Sequence, residues 1–259
     1  MDQYRYFLHL AFDGSRFHGW QRQPNDATVQ QTLEEAMTLL MRTPVVLTGA
    51  GRTDAGVHAA DFYAHFDLDQ PIDKPEREKL VFKLNRFLGG DIAISEILPV
   101  AVQAHARFSA ISRTYRYSIA REKNPFRRDY THYFYGTIDD SLMNQGAALI
   151  MCYEDFTSFS KVDTDTKTNI CRISAAKWTT EGSELVFTIT ADRFLRNMVR
   201  AIVGTLLELG TGKISLPGLK GIIEGNNRSD AGDSAPAKGL SLVRIVYPGE
   251  IFLGERVNG

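Results

Sequence analysis

The order in which extended and helical patterns follow one another restricts the fold of this chain more than any other feature. Tyr4, Tyr6, Leu8, Leu10 and Phe12 alternate with Arg5 and His9, which marks a strand running into Asp13-Gly14. Thr28 with Gln31 three residues on makes the pattern of a capping box, and Val29, Leu33, Ala36 and Leu40 share one helical face. A helix is therefore predicted over 28–42, ended by Pro44. Further strands are predicted at 45–47, 58–66, 91–98, 105–121, 170–179, 184–191 and 240–247. Helices are predicted at 75–88, 139–151 and 194–209, with a shorter one after Pro217. Strands thus come in adjacent pairs with helices between only some of them, and the regular alternation of a doubly wound fold is missing. The pattern favours an α+β fold of two domains, 1–104 and 105–247, each a mainly antiparallel sheet flanked by helices, with a tail at 248–259. A chain of 259 residues is long enough to bury its own core without staples. The small and polar residues of 226–239 predict a mobile loop.

Lys plus Arg number 30 against 31 for Asp plus Glu, and at face value this balance argues against a polyanion partner. The two cysteines, Cys152 and Cys171, form no CxxC pair and read as reduced thiols of a reducing, cytoplasmic compartment. The N-terminus reads as a strand and not as a signal peptide. Arg196 and Arg200 interrupt the most apolar stretch, so no membrane span is expected. The six histidines show no metal-binding spacing, and no Gly-x-Ser-x-Gly elbow is present.

The densest chemical signal is Gly49 to Ala59, GAGRTDAGVHA. Its glycines allow tight turns and close approach of a ligand. It is no P-loop, because no Gly-Lys-Ser/Thr follows, and Asp54 stands where the dinucleotide fingerprint needs its third glycine. What remains is one carboxylate, Asp54, two residues after Arg52 and four before His58. A carboxylate beside a guanidinium is held ionised and can serve as nucleophile or base. The plainer reading makes Asp54 a turn cap and Arg52 its surface partner.

From His105 to Arg128 seven residues are basic and only Glu122 is acidic, a net of +6, while the acids lie largely elsewhere. Phe108, Tyr115, Tyr117 and Phe126 interleave with those charges, a combination that grips phosphate and stacks on unpaired bases. Arg193, Arg196 and Arg200 recur at helical spacing, a stripe that works against the dipole unless an anion is near, either a phosphate or a carboxylate such as Asp54. The loop from Phe12 to Pro24 adds Arg16, Trp20, Gln21 and Arg22.

Six blocks together carry a resemblance: FDGSRFHGWQRQP at 12–24, GRTDAGVHA at 51–59, HARFSA at 105–110, RTYRY at 113–117, FLRNMVRAIVG at 194–204 and APAKGLSLVRIVY at 235–247. In these the chain resembles the tRNA pseudouridine synthase A family almost end to end. The resemblance implies isomerisation of uridine to pseudouridine at positions 38, 39 and 40 of the tRNA anticodon stem-loop, with no cofactor and no metal. It implies Asp54 as nucleophile, Tyr115 against the target base, Arg52 extruding and holding the nucleotide, and Arg200 pairing with Asp54. Gln21 and Arg196 join the expected substrate contacts. It further implies a homodimer whose tRNA lies in a basic cleft between the two domains. Attack at the sugar C1′, addition to C6 of the base and a glycal route all remain open. An RNA-binding module with a structural Asp54, and a nucleoside or glycoside hydrolase, are the rival classes; the hydrolase normally needs a second carboxylate.

Overall fold

A computed structural model of the chain describes residues 3–161 and 167–254. The elements in chain order are β1 (Tyr4–Phe12), α1 (Val29–Met41), β2 (Thr48–Gly49), β3 (His58–Leu68), α2 (Lys74–Phe87), β4 (Ile92–Val100), β5 (Ser112–Ala120), β6 (His132–Tyr133), α3 (Asp140–Ile150), β7 (Ile173–Glu181), β8 (Glu184–Ala191), α4 (Met198–Gly210), α5 (Leu216–Glu224) and β9 (Leu240–Val246). The fold is α+β and its strands pair mostly antiparallel. The chain gathers into two compact units, Met1–Ile111 with Leu242–Gly259, and Ser112–Ser241.

In the first unit the strand order is β4-β1-β3-β9, with β2 on β3. β1 pairs antiparallel with both β3 and β4. Tyr6, Leu8, Leu10 and Phe12 are buried, as the alternation predicts. Phe7, on the opposite face, is buried as well, because the chain's end covers it: its ring meets Tyr247 at 5.2 Å and Phe252 at 6.0 Å, both edge-on. The first unit therefore takes in more than residues 1–104. Ile111 N–H donates to Val246 O at 2.8 Å and Tyr247 Oη to Ala106 O at 2.5 Å, so 105–111 and the last strand belong with it. Pro248 to Leu253 pack too, with Leu253 N–H donating to Pro99 O at 2.9 Å; residues 255–259 of the expected tail lie outside the described residues.

α1 starts on Thr28, whose hydroxyl accepts from Gln31 N–H at 3.3 Å. The strand expected at 45–47 is absent, and α1 explains why. Val45 N–H donates to Thr38 Oγ1, Leu47 N–H to Glu34 Oε1, and Gln30 Nε2 to Leu47 O, so helix side chains satisfy the backbone that a sheet would have used. β2 forms only after this, at Thr48–Gly49.

In the second unit β8 lies between β5 and β7, antiparallel to each, and β6 adds a short parallel pairing to β5. α4 is buried nearly all round and makes the centre of the core. It begins at Met198 and not at 194, because Asn197 takes a left-handed conformation (φ 66°) and Nδ2 of its side chain donates to Ser234 Oγ at 2.6 Å. Residues 226–239 are anchored along their length and are no free loop. Arg200 and Ala235 exchange two hydrogen bonds, Gly232 N–H donates to Thr205 Oγ1, Arg228 holds Ala231 O, Gly232 O and Ser234 Oγ, and Tyr117 Oη donates to Pro236 O. The segment crosses α4 at Gly204 so closely that a Cβ there would lie 1.8 Å from Asp233 O.

Two measurements check this arrangement. Gly204→Ala is expected to lower unfolding stability by about 3 kcal/mol or more, since backbone on both sides cannot yield, and urea denaturation reads this directly. Cys171 is buried, and burial pushes its thiol up to about 12, whereas Cys152 is exposed. Titration of the folded protein with a thiol reagent at pH 8 is expected to count one reactive cysteine, and two after denaturation.

Candidate active site

The loop from Gly51 to Val57 joins β2 to β3, and its shape is set by the neighbouring segment Asp13–Gln23. Ala50 N–H first donates to Tyr63 O at 2.8 Å, fixing the point of departure. Trp20 N–H then donates to Thr53 Oγ1 at 3.0 Å, and Gly56 N–H to Phe17 O at 3.2 Å. Val57 N–H returns to Asp54 O at 3.2 Å and closes a turn whose first residue is Asp54. Gly19 (φ +88°) lies flat against this turn, where a Cβ would stand 2.2 Å from Thr53 O. At the end of the loop the buried His58 accepts from Gly14 N–H at 3.1 Å through Nδ1, with Asp13 Oδ1 also at 3.1 Å. The Trp20 indole is 3% exposed, packs on Phe62 at 4.3 Å and fills the space above Gly49.

This bracing leaves the Asp54 carboxyl half-buried and the Arg52 side chain exposed. Spacing suggests an Arg52–Asp54 surface pair, but among the described residues Arg52 forms no ion pair. It lines instead a cleft of about 310 Å³ in the first unit, together with Trp20, Gln21, Gly49, Arg107 and Phe108. Asp54 is not among the residues lining that cleft.

The other expected contacts lie on the second unit. Tyr115 stands on β5 opposite Ile189, half-buried and edge-on to Phe194 at 5.2 Å. Arg200 is the third residue of α4 and its Nε donates to Ala235 O at 2.7 Å. Arg193 and Arg196 precede the helix, so the arginine stripe expected on one helical face does not form. Arg196 is exposed, and its backbone carbonyl accepts from Lys161 N–H. Asp54, Arg52 and Gln21 thus belong to one unit, and Tyr115, Arg196 and Arg200 to the other.

The basic segment is also two things rather than one strand. Residues 105–110 form a turn, closed by Ser109 N–H to His105 O, and β5 begins only at Ser112. At least four of its seven cations meet acids that are distant in sequence or adjacent in the loop: Arg116 with Glu181, Arg121 with Asp140, Arg127 with Glu184 and Arg128 with Asp129. The +6 of the linear segment therefore overstates the charge it presents. Of its aromatics, Tyr117 is a core residue with no exposure, whereas Phe108 and Phe126 face solvent. Sequence reasoning missed Thr53, Asp13 and His58 as braces of the loop; the one available signal was the Asp13-Gly14 pair, which reads as a simple turn.

With this geometry in place, the chain's similarities to known proteins become informative. Residues 153–248 match the family described as tRNA pseudouridine synthase. The tRNA pseudouridine synthase A of Parabacteroides distasonis is 53% identical over 251 residues, 96% of this chain and 98% of that protein. That of Porphyromonas gingivalis is 53% identical over 252 residues, covering 96% and 99%. A more distant relative of the same name, from Bacillus subtilis, is 39% identical over 244 residues, covering 92% and 97%. With half of all positions shared across nearly the full length of such relatives, this chain belongs to the tRNA pseudouridine synthase A family.

Proposed function

We propose that the protein converts uridine to pseudouridine at positions 38, 39 and 40 of the tRNA anticodon stem-loop, with Asp54 as its catalytic carboxylate. The observation that carries this reading is the braced turn: five backbone and side-chain hydrogen bonds and one flush glycine fix the backbone that carries the half-buried Asp54, two residues after the exposed Arg52. A surface turn cap needs no such support. A nucleophile does, since a displacement of about 1 Å costs catalysis heavily.

The reaction breaks the bond between N1 of uracil and C1′ of the ribose, turns the base and joins C5 to C1′; C5 gives up its proton to solvent and N1 takes one up, so the change is an isomerisation. Asp54 acts at C1′, at C6, or on a sugar proton; all three use the same ionised carboxylate. The target base first leaves its stack, at a cost of a few kcal/mol that cationic contacts to phosphate offset. Arg52 is the proposed cation for that extrusion, as its exposed side chain and lack of an ion pair among the described residues suit it to a phosphate. Tyr115, whose ring meets Phe194 at right angles, is proposed as the flat surface against the target uracil, and Gln21, Arg196 and Arg200 as further substrate contacts. The reading includes a cytoplasmic homodimer that works on tRNA without cofactor or metal.

Tritium release from tRNA carrying 5-tritiated uridine tests the assignment. Asp54→Asn is expected to abolish release, a loss of at least about 10³-fold, while tRNA binding changes by less than about tenfold. Release at the wild-type rate would remove Asp54 from catalysis, and tRNA binding without any release from the wild type would favour a binding module. The affinity for tRNA is expected to fall on the order of 50-fold between about 50 and 200 mM salt, the slope of three to four phosphate contacts.

A further inference from the structure

The turn at 105–110 presents an aromatic ring to solvent. Phe108 is 73% exposed, although burying such a side chain is normally favourable. Its backbone is nonetheless rigid. Ser109 N–H donates to His105 O at 2.9 Å and His105 N–H to Ser109 Oγ at 2.9 Å, while His105 Nδ1 accepts from Arg107 N–H at 3.1 Å and Phe108 N–H at 3.4 Å. From below, Ala106 donates to His65 Nδ1 and accepts from Tyr247 Oη. Burial and the charges of Arg5 and Arg107 lower the pKa of His105, so the ring stays neutral and Nδ1 stays an acceptor. The same burial lowers His65 to about 4.

The Phe108 ring is backed by His105, with centroids 4.4 Å apart, and the Arg107 guanidinium lies 5.3 Å from its centroid. Both residues line the cleft of about 310 Å³ that also takes in Arg52 and Gln21. An exposed aromatic on a fixed backbone, with two arginines in one cleft, has the makings of a stacking site on an anionic strand. The charge excludes an apolar peptide as the natural occupant, and the ring offers a phosphate alone nothing.

We propose that Phe108 is a stacking platform for an unpaired base directly beside the target uridine, with Arg107 and Arg52 facing the adjoining phosphates. This rests on the tRNA reading above and adds a second nucleotide to it. Arg52 lines the cleft and Asp54, two residues on, does not, so the base proposed to stack there is a neighbour and not the reacting one.

The test uses the full-length protein and an anticodon stem-loop RNA with a single target uridine, with binding read by fluorescence anisotropy and turnover by tritium release. Phe108→Ala is expected to weaken binding roughly tenfold, within the 5- to 150-fold that stacking of one base is worth, and Phe108→Trp to restore it. An RNA lacking the base on one side of the target is expected to bind the wild type more weakly by a similar factor, and to show no added loss with Phe108→Ala. The melting temperature of Phe108→Ala is expected to equal that of the wild type. The platform is overturned by unchanged affinity in Phe108→Ala, by failure of Phe108→Trp to restore it, by a lowered melting temperature that assigns the ring to the fold, or by abasic neighbours that weaken both proteins equally. Should the wild type bind RNA but release no tritium, the enzymatic reading fails while the binding comparison still decides the platform.

Discussion

Two backbone segments of the first unit pass closer together than a side chain is wide. Where Gly19 lies on Thr53 there is no room for even a Cβ, and the hydrogen bonds from Trp20 and Gly56 tie the two segments along their length. Everything the first unit offers chemically follows from that contact. It fixes the turn that begins at Asp54, sends Arg52 outward, and sets the Trp20 indole as one wall of the cleft. The approach is possible because the chain between β1 and α1 and the chain between β2 and β3 emerge side by side, an arrangement that the antiparallel pairing of β1 with β3 imposes. The site is thus a product of strand register as much as of the residues within it.

Patterns with a single dominant cause could be read from the chain. The alternation of β1 and the Thr28 cap of α1 each depend on a few neighbouring residues, and both elements formed close to the predicted limits. The failures share a different cause. At 45–47 the extended pattern lost its sheet partners to Glu34, Gln30 and Thr38; at 194–197 a left-handed Asn197 cut short a helical pattern; at 226–239 a loop-like composition concealed bonds to α4. At 45–47 and 226–239 the deciding groups lie outside the window in which periodicity is measured, and at 194–197 the partner that holds Asn197, Ser234, does. The candidate residues were visible because motifs expose them, whereas their braces, Thr53 and Asp13 with His58, act through contacts that no spacing encodes.

Charge shows the same division between local and distant causes. A run of seven cations against one acid looks strongly attractive to a polyanion, yet the hairpin of β7 and β8 delivers Glu181 and Glu184 to Arg116 and Arg127. Exposed pairs of this kind add little stability, about 0–1 kcal/mol each. Their larger effect is to offset part of the segment's positive charge locally, while Arg52 and Arg107 line one cleft. A near-neutral total charge and a polyanion partner are compatible on those terms.

The first unit is written in two pieces, with all of Ser112–Ser241 inserted between them. β9 lies beside β3, and Phe252 packs edge-on against the buried Phe7 of β1, so the sheet that carries the Asp54 loop takes a strand and part of its apolar cover from beyond that insertion. During synthesis the second unit, whose sequence is continuous, has everything it needs first. The first unit is therefore complete only when both of its pieces are present, and loss of the piece after Ser241 leaves its sheet short of a strand and Phe7 without part of its cover.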